Sequence, residues 1–266
     1  MDHHQVGRMW NENAQVWTEL ARKGYDVYRD HLNTPAFLKM LPQVKDLRGL
    51  DIGCGEGHNT RLLARLGAQM TAIDIAQTFI AHGRQAEQTE SLGIDYLIAS
   101  AVALPFPDAT FDFATAFMSL MDVPENHRAL AEAFRVLTSG GFLQFSVTHP
   151  CTNTPHRRNL RDENRQTYAL ELGGYYDTCD GMIEEWIFGA TPAEEREGLR
   201  RFRVPRFGRT LSGWVNAVID AGFLIERMRE PHADDETVAR CPDMQDTQVV
   251  PYFLHLRCRK PIARAP

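Results

Sequence analysis

The sequence predicts an α/β fold, in which a mostly parallel sheet carries helices on both faces. Two observations support this fold class. Short β-branched or aromatic runs recur between residues 49 and 149, namely GLDIG, QMTAID, IDYLIA, FDFATAF and FLQFSVTH. The segments between them, including NTRLLARLGA, AQTFIAHGRQAEQTE and PENHRALAEAFRVLTSGG, have the periodicity of amphipathic helices. Strands that alternate with helices need crossover connections, and such strands lie parallel in one sheet.

Residues 5–42 precede this alternation and are predicted to be helical. Their aromatic and aliphatic side chains recur at intervals of three, four and seven, which is the spacing of an apolar helix face. Thr34 followed by Pro35 is predicted to cap and restart the helix. Residues 1–44 are therefore interpreted as an N-terminal helical lid.

Residues 151–208 break the alternation and are interpreted as an inserted cap on the substrate side of the fold. They contain GGYYD, MIEEWIFGA and the charged run TPAEEREGLRRF. Regular elements return with TLSGWVNAVIDAGF, predicted as a helix, and with LIERMRE and VVPYFLHLRCRK, predicted as strands. The core of the fold is then expected to comprise residues 45–150 and 209–260.

Composition limits the classes of function that the chain can have. The 266 residues are 43% hydrophobic and 24% charged, as in globular proteins with one main core. A formal net charge of −6 argues against nucleic acid as a partner, since that binding depends on neutralising phosphates with Lys and Arg. The most basic run, HRRNLRDENR at residues 156–165, contains its own acids and is predicted to be a solvated surface segment.

Cysteine usage and hydropathy predict a cytoplasmic protein with no membrane contact. The five cysteines are scattered without a CxxC pair, so we expect reduced thiols and no metal site. Nowhere do 18 apolar residues run together, and the N-terminus lacks the apolar segment of a signal peptide. The sequence leaves both a monomer and a homodimer open.

The stretch GLDIGCGEG contains four glycines and two acids in nine residues. It follows the first predicted strand and leads into a helix, at the edge where open α/β sheets bind ligands. Gly53, Gly55 and Gly57 allow a ligand to approach the main chain, and the amides from Glu56 to Asn59 can face an anionic group. A tight turn required only for packing is the structural alternative.

Four neighbouring features make this glycine loop more specific. Asp51 immediately precedes the loop, and Asp74 ends the second strand in TAIDI. An acid at the end of strand two, roughly 20 residues after the loop, can accept hydrogen bonds from both hydroxyls of a ribose. LPFPDATFD leads into the fourth strand, and RVLTSGG introduces the fifth.

Together these motifs resemble those of the class I S-adenosylmethionine-dependent methyltransferases, in the type 11-like family and its bacterial small-molecule branch. The resemblance covers residues 45–150, where the family reads LDxGCGxG, a strand-two acid, DAxxLPF and RVLKPGG. It implies a Rossmann-like, seven-stranded sheet of order 3-2-1-4-5-7-6 with strand seven antiparallel. It also implies S-adenosyl-L-methionine as cofactor, S-adenosyl-L-homocysteine as product and a small-molecule acceptor.

The resemblance carries over to individual cofactor-binding residues. They are Asp51, Gly53, Cys54, Gly55, Asn59, Asp74, Ile75, Ser100, Ala101, Phe117, Met118, Ser119 and Tyr28. It implies that Asp74 binds the ribose, that Ile75 lies against adenine and that Ala101 lies by the adenine edge. Ser100 stands where the family usually has an aspartate that accepts an adenine amino hydrogen, and a hydroxyl accepts more weakly than a carboxylate.

Methyl transfer from a sulfonium is an in-line displacement, so the main task of the protein is to align acceptor and methyl group. A base is needed only for a protonated acceptor, and His149, in SVTHPC at the end of strand five, is predicted to supply it. The alternative is that His149 only fixes the turn before Pro150. Tyr28, Arg29 and Asn33 are predicted donors to the cofactor carboxylate, with helix packing as their alternative role.

The inserted cap is predicted to shape the acceptor pocket. Tyr175 and Tyr176 lie within it, Arg206 lies near its end and Arg209 directly follows it. Aromatic rings suggest a small, partly apolar acceptor, and the arginines would tolerate a carboxylate on it.

Two other functions stay open. A nicotinamide-dependent oxidoreductase normally has GxGxxG, whereas Gly53, Gly55 and Gly57 form GxGxG, and Asp51 would repel a pyrophosphate. A non-catalytic protein that binds S-adenosyl-L-methionine would keep the cofactor site but have a sealed or absent acceptor pocket.

Overall fold

A seven-stranded sheet forms the centre of the computed structural model, which describes residues 1–177 and 179–262. Its strands are β1 Arg48–Ile52, β2 Gln69–Asp74, β3 Asp95–Ile98, β4 Phe111–Phe117, β5 Leu137–Thr148, β10 Leu224–Arg229 and β11 Phe253–Arg259. Their order across the sheet is β10-β11-β5-β4-β1-β2-β3. The five neighbouring strands β3, β2, β1, β4 and β5 run parallel, and β11 lies antiparallel to both β5 and β10. The predicted order 3-2-1-4-5-7-6 with an antiparallel seventh strand is confirmed.

Helices cover both faces of the sheet, as predicted. They are α3 His58–Arg65, α4 Gln77–Thr89, α5 Asn126–Val136 and α7 Leu211–Asp220, with the short α6 Ala193–Arg196 and α8 Asp235–Arg240 outside the core. Successive strand residues point to opposite faces, so Phe113 packs in one buried cluster with Leu63 and Ile80, while Ala114 packs in another with Leu130 and Trp214. The two faces thus have separate apolar cores.

The N-terminal segment is helical but is not one continuous helix. Helix α1, His3–Arg22, ends before Gly24, which has a left-handed φ of 82°. A π-helical turn at Arg29–Asn33 then leads into α2, Thr34–Met40. Pro35 lies in the first turn of α2, as predicted, but Thr34 is already helical and its hydroxyl donates to the Asn59 side chain, so the predicted cap at Thr34 is wrong.

The segment from residue 151 to 208 consists of two antiparallel hairpins rather than irregular chain. Strands β6 His156–Arg161 and β7 Thr167–Gly173 form the first hairpin, and β8 Asp180–Trp186 and β9 Phe202–Phe207 form the second. The described residues include no helix long and apolar enough to span a bilayer.

The second hairpin packs on helix α1. The Trp17 ring lies 4.7 Å from that of Phe202 and 4.8 Å from that of Phe188, measured between ring centroids. The Asn13 side chain is buried and both donates to the Arg203 carbonyl, at 2.9 Å, and accepts from the Arg203 amide, at 3.0 Å. The N-terminal helices and the insertion therefore form one continuous wall.

Candidate functional site

A cavity of about 910 Å³ opens at the carboxyl ends of β1, β2 and β4. Parallel strands end at the same edge of a sheet, which brings the loops that follow them together. The N-terminal helical segment and both inserted hairpins close the cavity from the outside. All thirteen predicted cofactor-binding residues line it.

The glycine loop serves both packing and access to the cavity. Gly53 has a φ of 70°, and a Cβ atom there would lie 2.4 Å from the Ser119 Cβ. Gly55, with a φ of 55°, has no heavy atom within 4 Å of the position that a Cβ would take. The first glycine thus allows close packing, and the second leaves bare main chain at the cavity.

Two buried carboxylates flank this loop. Asp51 accepts hydrogen bonds from the hydroxyls of Thr60, at 2.5 Å, and Thr115, at 2.8 Å. Asp74 accepts from the amides of Gly55, at 2.9 Å, and Ala76, at 2.8 Å. Burial raises the pKa of each carboxyl to about 6, although these hydrogen bonds lower it. Each carboxylate still has lone pairs for a ligand.

The loop after β4 forms a third part of the cavity wall. Met118 has a left-handed φ of 50°, and its amide donates to the Ser146 carbonyl at 3.0 Å. The Ser119 hydroxyl donates to the Ile52 carbonyl at 2.6 Å. These contacts hold the ends of β1, β4 and β5 together, which fixes the cavity wall.

The other predicted cofactor residues come from separate elements. The Asn59 side chain accepts from the Thr34 hydroxyl at 2.9 Å, which joins the glycine-loop helix to the lid. The Tyr28 hydroxyl donates to the Asp243 carbonyl at 2.9 Å. Ser100 accepts weakly from the Val102 amide at 3.4 Å. Arg29 and Asn33 also line the cavity.

His149 lies outside the cavity lining in the described part of the chain. Its side chain is buried, and its Nε2 lies 2.8 Å from the Glu230 Oε1. Its Nδ1 accepts from the Cys151 amide at 3.2 Å. This arrangement favours the alternative in which His149 fixes the turn at Pro150, because both ring nitrogens already have partners.

The four predicted acceptor residues are likewise absent from the cavity lining among the residues described. The Tyr175 hydroxyl accepts from the Leu211 amide at 2.8 Å, and Tyr176 is 84% exposed. Arg206 pairs with Glu184 and donates to a backbone carbonyl. Tyr175 therefore links the inserted segment to helix α7, whereas Arg206 makes these contacts within the inserted segment.

Arg209 contacts the cavity wall from behind. Its guanidinium donates to the carbonyls of Met121 at 3.1 Å, Val123 at 2.6 Å and Pro124 at 3.0 Å. Burial lowers the pKa of Arg209 to about 10, although Asp122 raises it. All three carbonyl-bearing residues line the cavity, so Arg209 shapes the wall without being part of it.

Several cavity residues were not predicted from the sequence. Arg157, Arg161 and Arg165 of the first hairpin line the cavity, although the run that contains them was predicted to be only a solvated surface. Their spacing of four residues places them on one face of a hairpin, but only if the hairpin is known. Asp122 is another residue that was missed, and it is 9% exposed.

Comparisons with known proteins agree with this geometry. Residues 50–145 match the family model described as a methyltransferase domain. A ubiquinone/menaquinone biosynthesis C-methyltransferase of Methylobacterium nodulans is 33% identical over 149 residues, which cover 51% of this chain and 59% of that protein. An O-methyltransferase of Penicillium expansum is 36% identical over 170 residues, which cover 56% of this chain and 61% of that protein. The chain thus spans about three fifths of the length of these relatives.

A solved structure is similar over more of the chain. The crystal structure of an S-adenosylmethionine-dependent methyltransferase from Mesorhizobium loti has a TM-score of 0.69 at 27% sequence identity. The match covers 85% of this chain and 96% of that one, so it includes elements outside the segment that the family model matches.

Proposed function

Because the chain belongs to the class I S-adenosylmethionine-dependent methyltransferases, we propose that it transfers a methyl group from S-adenosyl-L-methionine to a small-molecule acceptor by in-line displacement. The observation that carries this proposal is the convergence of the glycine loop, Asp74 and the loop after β4 on one cavity. These features come from three different strand ends, and only the folded sheet brings them together.

The residues present fit the cofactor. Asp74 lies on the cavity with lone pairs left for the two ribose hydroxyls, and Gly55 leaves its main chain uncovered there. Asp51 offers a buried carboxylate that suits the amino group of the methionine moiety. We propose the thirteen lining residues named above as the cofactor site, with Ser100 in place of a stronger acceptor for adenine.

The contribution of the protein to the reaction is alignment and exclusion of water. When bound, S-adenosyl-L-methionine supplies a methyl group that its sulfonium already activates. The fixed loop after β4 and the helical lid would hold the acceptor in line with that group, an orientation effect that can be worth roughly 7 to 11 kcal/mol. The wall of N-terminal helices and inserted hairpins would keep the reacting atoms dry.

The cavity also bears on the rival functions. Asp51, which directly precedes the glycine loop and lines the cavity, would repel the pyrophosphate of a nicotinamide dinucleotide. A non-catalytic binding protein needs no acceptor space, whereas about 910 Å³ is at the large end of ligand pockets. Cysteines that are free throughout the described residues suit a reducing cytoplasm, which we propose as the place of action.

Calorimetric titration tests whether the protein binds the cofactor, and a radiolabel assay tests whether it transfers the methyl group. We expect S-adenosyl-L-homocysteine to bind with micromolar affinity and NAD not to bind, and we expect Asp74→Ala to weaken the first affinity at least tenfold. Methyl-labelled S-adenosyl-L-methionine is then offered with a panel of phenols, amines, thiols, carboxylic acids and quinols. Binding of NAD alone would refute the proposal, and binding of S-adenosyl-L-homocysteine without transfer to any acceptor would favour the non-catalytic rival.

A further inference from the structure

Asp122 is a buried carboxylate on the cavity wall, and among the described residues its side chain has no hydrogen-bond partner. Its residue is 9% exposed and lines the cavity. Within residues 1–177 and 179–262, its side chain makes neither a hydrogen bond nor an ion pair within 4 Å. Buried carboxylates are normally paired, because an unpaired one loses its hydration without compensation. Structural reasons alone therefore do not account for an acid at this position.

The chain holds Asp122 in place from both sides. It ends a 3₁₀ turn, Leu120–Asp122, and its amide donates to the Ser119 carbonyl at 3.0 Å. Arg209 donates to the carbonyls of the residues immediately before and after it, Met121 and Val123. Such support on both neighbours fixes the backbone that carries the carboxyl group at the cavity wall, as a group that meets a ligand requires.

The charged groups around this turn leave the carboxylate without a close partner. The turn packs against β5, which has no titratable residue, against β9 and against α5. The charged or titratable residues of β9 and α5 are Arg203, Arg206, His127, Arg128, Glu132 and Arg135. Near the ends of these elements and of β5 lie Arg201, Arg209, Glu125 and His149, and His3 lies 3.2 Å from Glu125. Burial raises the pKa of the Asp122 carboxyl well above its ordinary value, and the Arg209 charge lowers it. Burial therefore makes this carboxylate a better proton acceptor than an exposed one.

We propose that Asp122 accepts the proton that the acceptor loses during methyl transfer, an inference that rests on the proposed function. As the acceptor oxygen or nitrogen forms its bond to the methyl carbon, the carbon–sulfur bond breaks and its electron pair stays on sulfur. The proton leaves that oxygen or nitrogen for the Asp122 carboxylate, which becomes a neutral acid. One positive and one negative charge are cancelled inside the cavity, which a low-dielectric site favours.

The proposal also names a class of acceptor. A carboxylate on the wall repels anions and binds groups that carry a proton to donate, so it suits alcohols, phenols and amines. Carboxylic acids, which are already ionised at neutral pH, gain nothing from it. His149 takes no part in this scheme, because Glu230 and the Cys151 amide occupy its ring nitrogens.

The test compares Asp122→Asn with Asp108→Asn, which changes a 77% exposed side chain in the same way. On phenol or amine acceptors from the panel, we expect Asp122→Asn to lower kcat about 100- to 10,000-fold, the usual contribution of a positioned proton acceptor. In the pH profile of kcat/KM, the rise on the acidic side should be absent in Asp122→Asn. The affinity for S-adenosyl-L-homocysteine should stay within about twofold of wild type, which separates this inference from the proposed function.

A second readout needs no acceptor. Carbon-13 NMR of protein labelled at the aspartate carboxyl carbon, saturated with S-adenosyl-L-homocysteine, gives the titration of the signal that Asp122→Asn removes. We expect its midpoint more than about one pH unit above the ordinary value of about 3.9, and a midpoint below that limit overturns the proposal. Turnover of phenols or amines by Asp122→Asn within threefold of Asp108→Asn also overturns it. Transfer only to carboxylic acids does the same.

Discussion

At Gly53 and Gly55, the same residue type serves two different physical needs. Gly53 is required because its backbone is left-handed and because the side chain of Ser119 fills the space beside it. Gly55 is equally left-handed but faces open cavity. A ligand contact therefore depends on the second glycine, while the first ties the end of β1 to the end of β4.

Replacement of Gly53 by alanine should destabilise the fold more than an alanine at Gly24. Both positions have a left-handed φ, 70° and 82°, which costs a non-glycine residue about 1 to 2 kcal/mol. Only Gly53→Ala also meets an atom, the Ser119 Cβ at 2.4 Å. We expect urea unfolding to show a further loss of about 1 to 3 kcal/mol for Gly53→Ala, the usual cost of overpacking. Equal losses for the two variants would show that Ser119 moves away freely.

The pKa of Asp74 predicts how the effect of replacing Asp74 on the free energy of unfolding varies with pH. Burial raises this pKa to about 6 in the folded protein, against about 3.9 unfolded, so the folded state binds the extra proton between these values. The contribution of this carboxyl is therefore fully present below the unfolded value and is lost as the pH rises through about 6.

Asp74→Asn removes that loss, because an amide does not ionise. Relative to wild type, the free energy of unfolding of Asp74→Asn should rise by about 2 kcal/mol from pH 4 to pH 7.5. Urea titrations at the two pH values measure this difference, with Asp108→Asn as an exposed control expected to show almost none. A difference of the opposite sign would mean that the native hydrogen bonds to Asp74 outweigh its burial.

Among the elements, the loop after β4 has the most unusual support. The loop is short, and the backbone of Met118 within it is left-handed. Its hydrogen-bond partners lie outside it, at Ser146 of β5 and at Arg209 beyond β9. An arginine matches several carbonyls at once because its guanidinium offers five donors in a fixed plane. The shape of this part of the cavity wall therefore depends on Arg209, which does not itself line the cavity.

Arg209→Ala should loosen this loop and leave the rest of the sheet intact. We expect a loss of about 2 kcal/mol in unfolding free energy, since three buried carbonyls lose a charged donor. Hydrogen exchange should become faster at the amides of residues 118–125 and stay unchanged in β1 and β2. Arg203→Ala, in the neighbouring strand β9 and with a half-exposed side chain paired to Glu185, is the control. Faster exchange throughout the sheet would contradict a local role for Arg209.

At the scale of the whole molecule, the sheet and the cavity wall at its strand ends could be predicted from the sequence, and the wall that the inserted hairpins form could not. Asp51, Gly55 and Asp74 stand in short local motifs, and the parallel sheet brings the ends of neighbouring strands together by necessity. The position of Arg157 at the cavity depends on a hairpin that folds back over the core. No sequence pattern marks Asp122, because its distinguishing feature is a carboxylate that pairs with no other group among the described residues.

His149 shows the limit of reasoning from strand ends alone. It does follow β5 directly, as predicted, and it is buried. Its ring nevertheless points to Glu230, near the end of β10, and to the amide of Cys151. A strand position fixes where a residue stands along the sheet, but the neighbours in space decide which way its side chain faces.

The contact between helix α1 and the second hairpin affects how the protein is made. Helix α1 leaves the ribosome before the second hairpin, and Trp17 and Asn13 find their partners at Phe202 and Arg203, about 185 to 190 residues later. At 5 to 20 residues per second, the nascent chain waits roughly 10 to 40 s before this tryptophan can be covered. A nascent chain therefore exposes this apolar aromatic surface during synthesis. The cavity can bind a ligand only after the second hairpin has emerged and completed its wall.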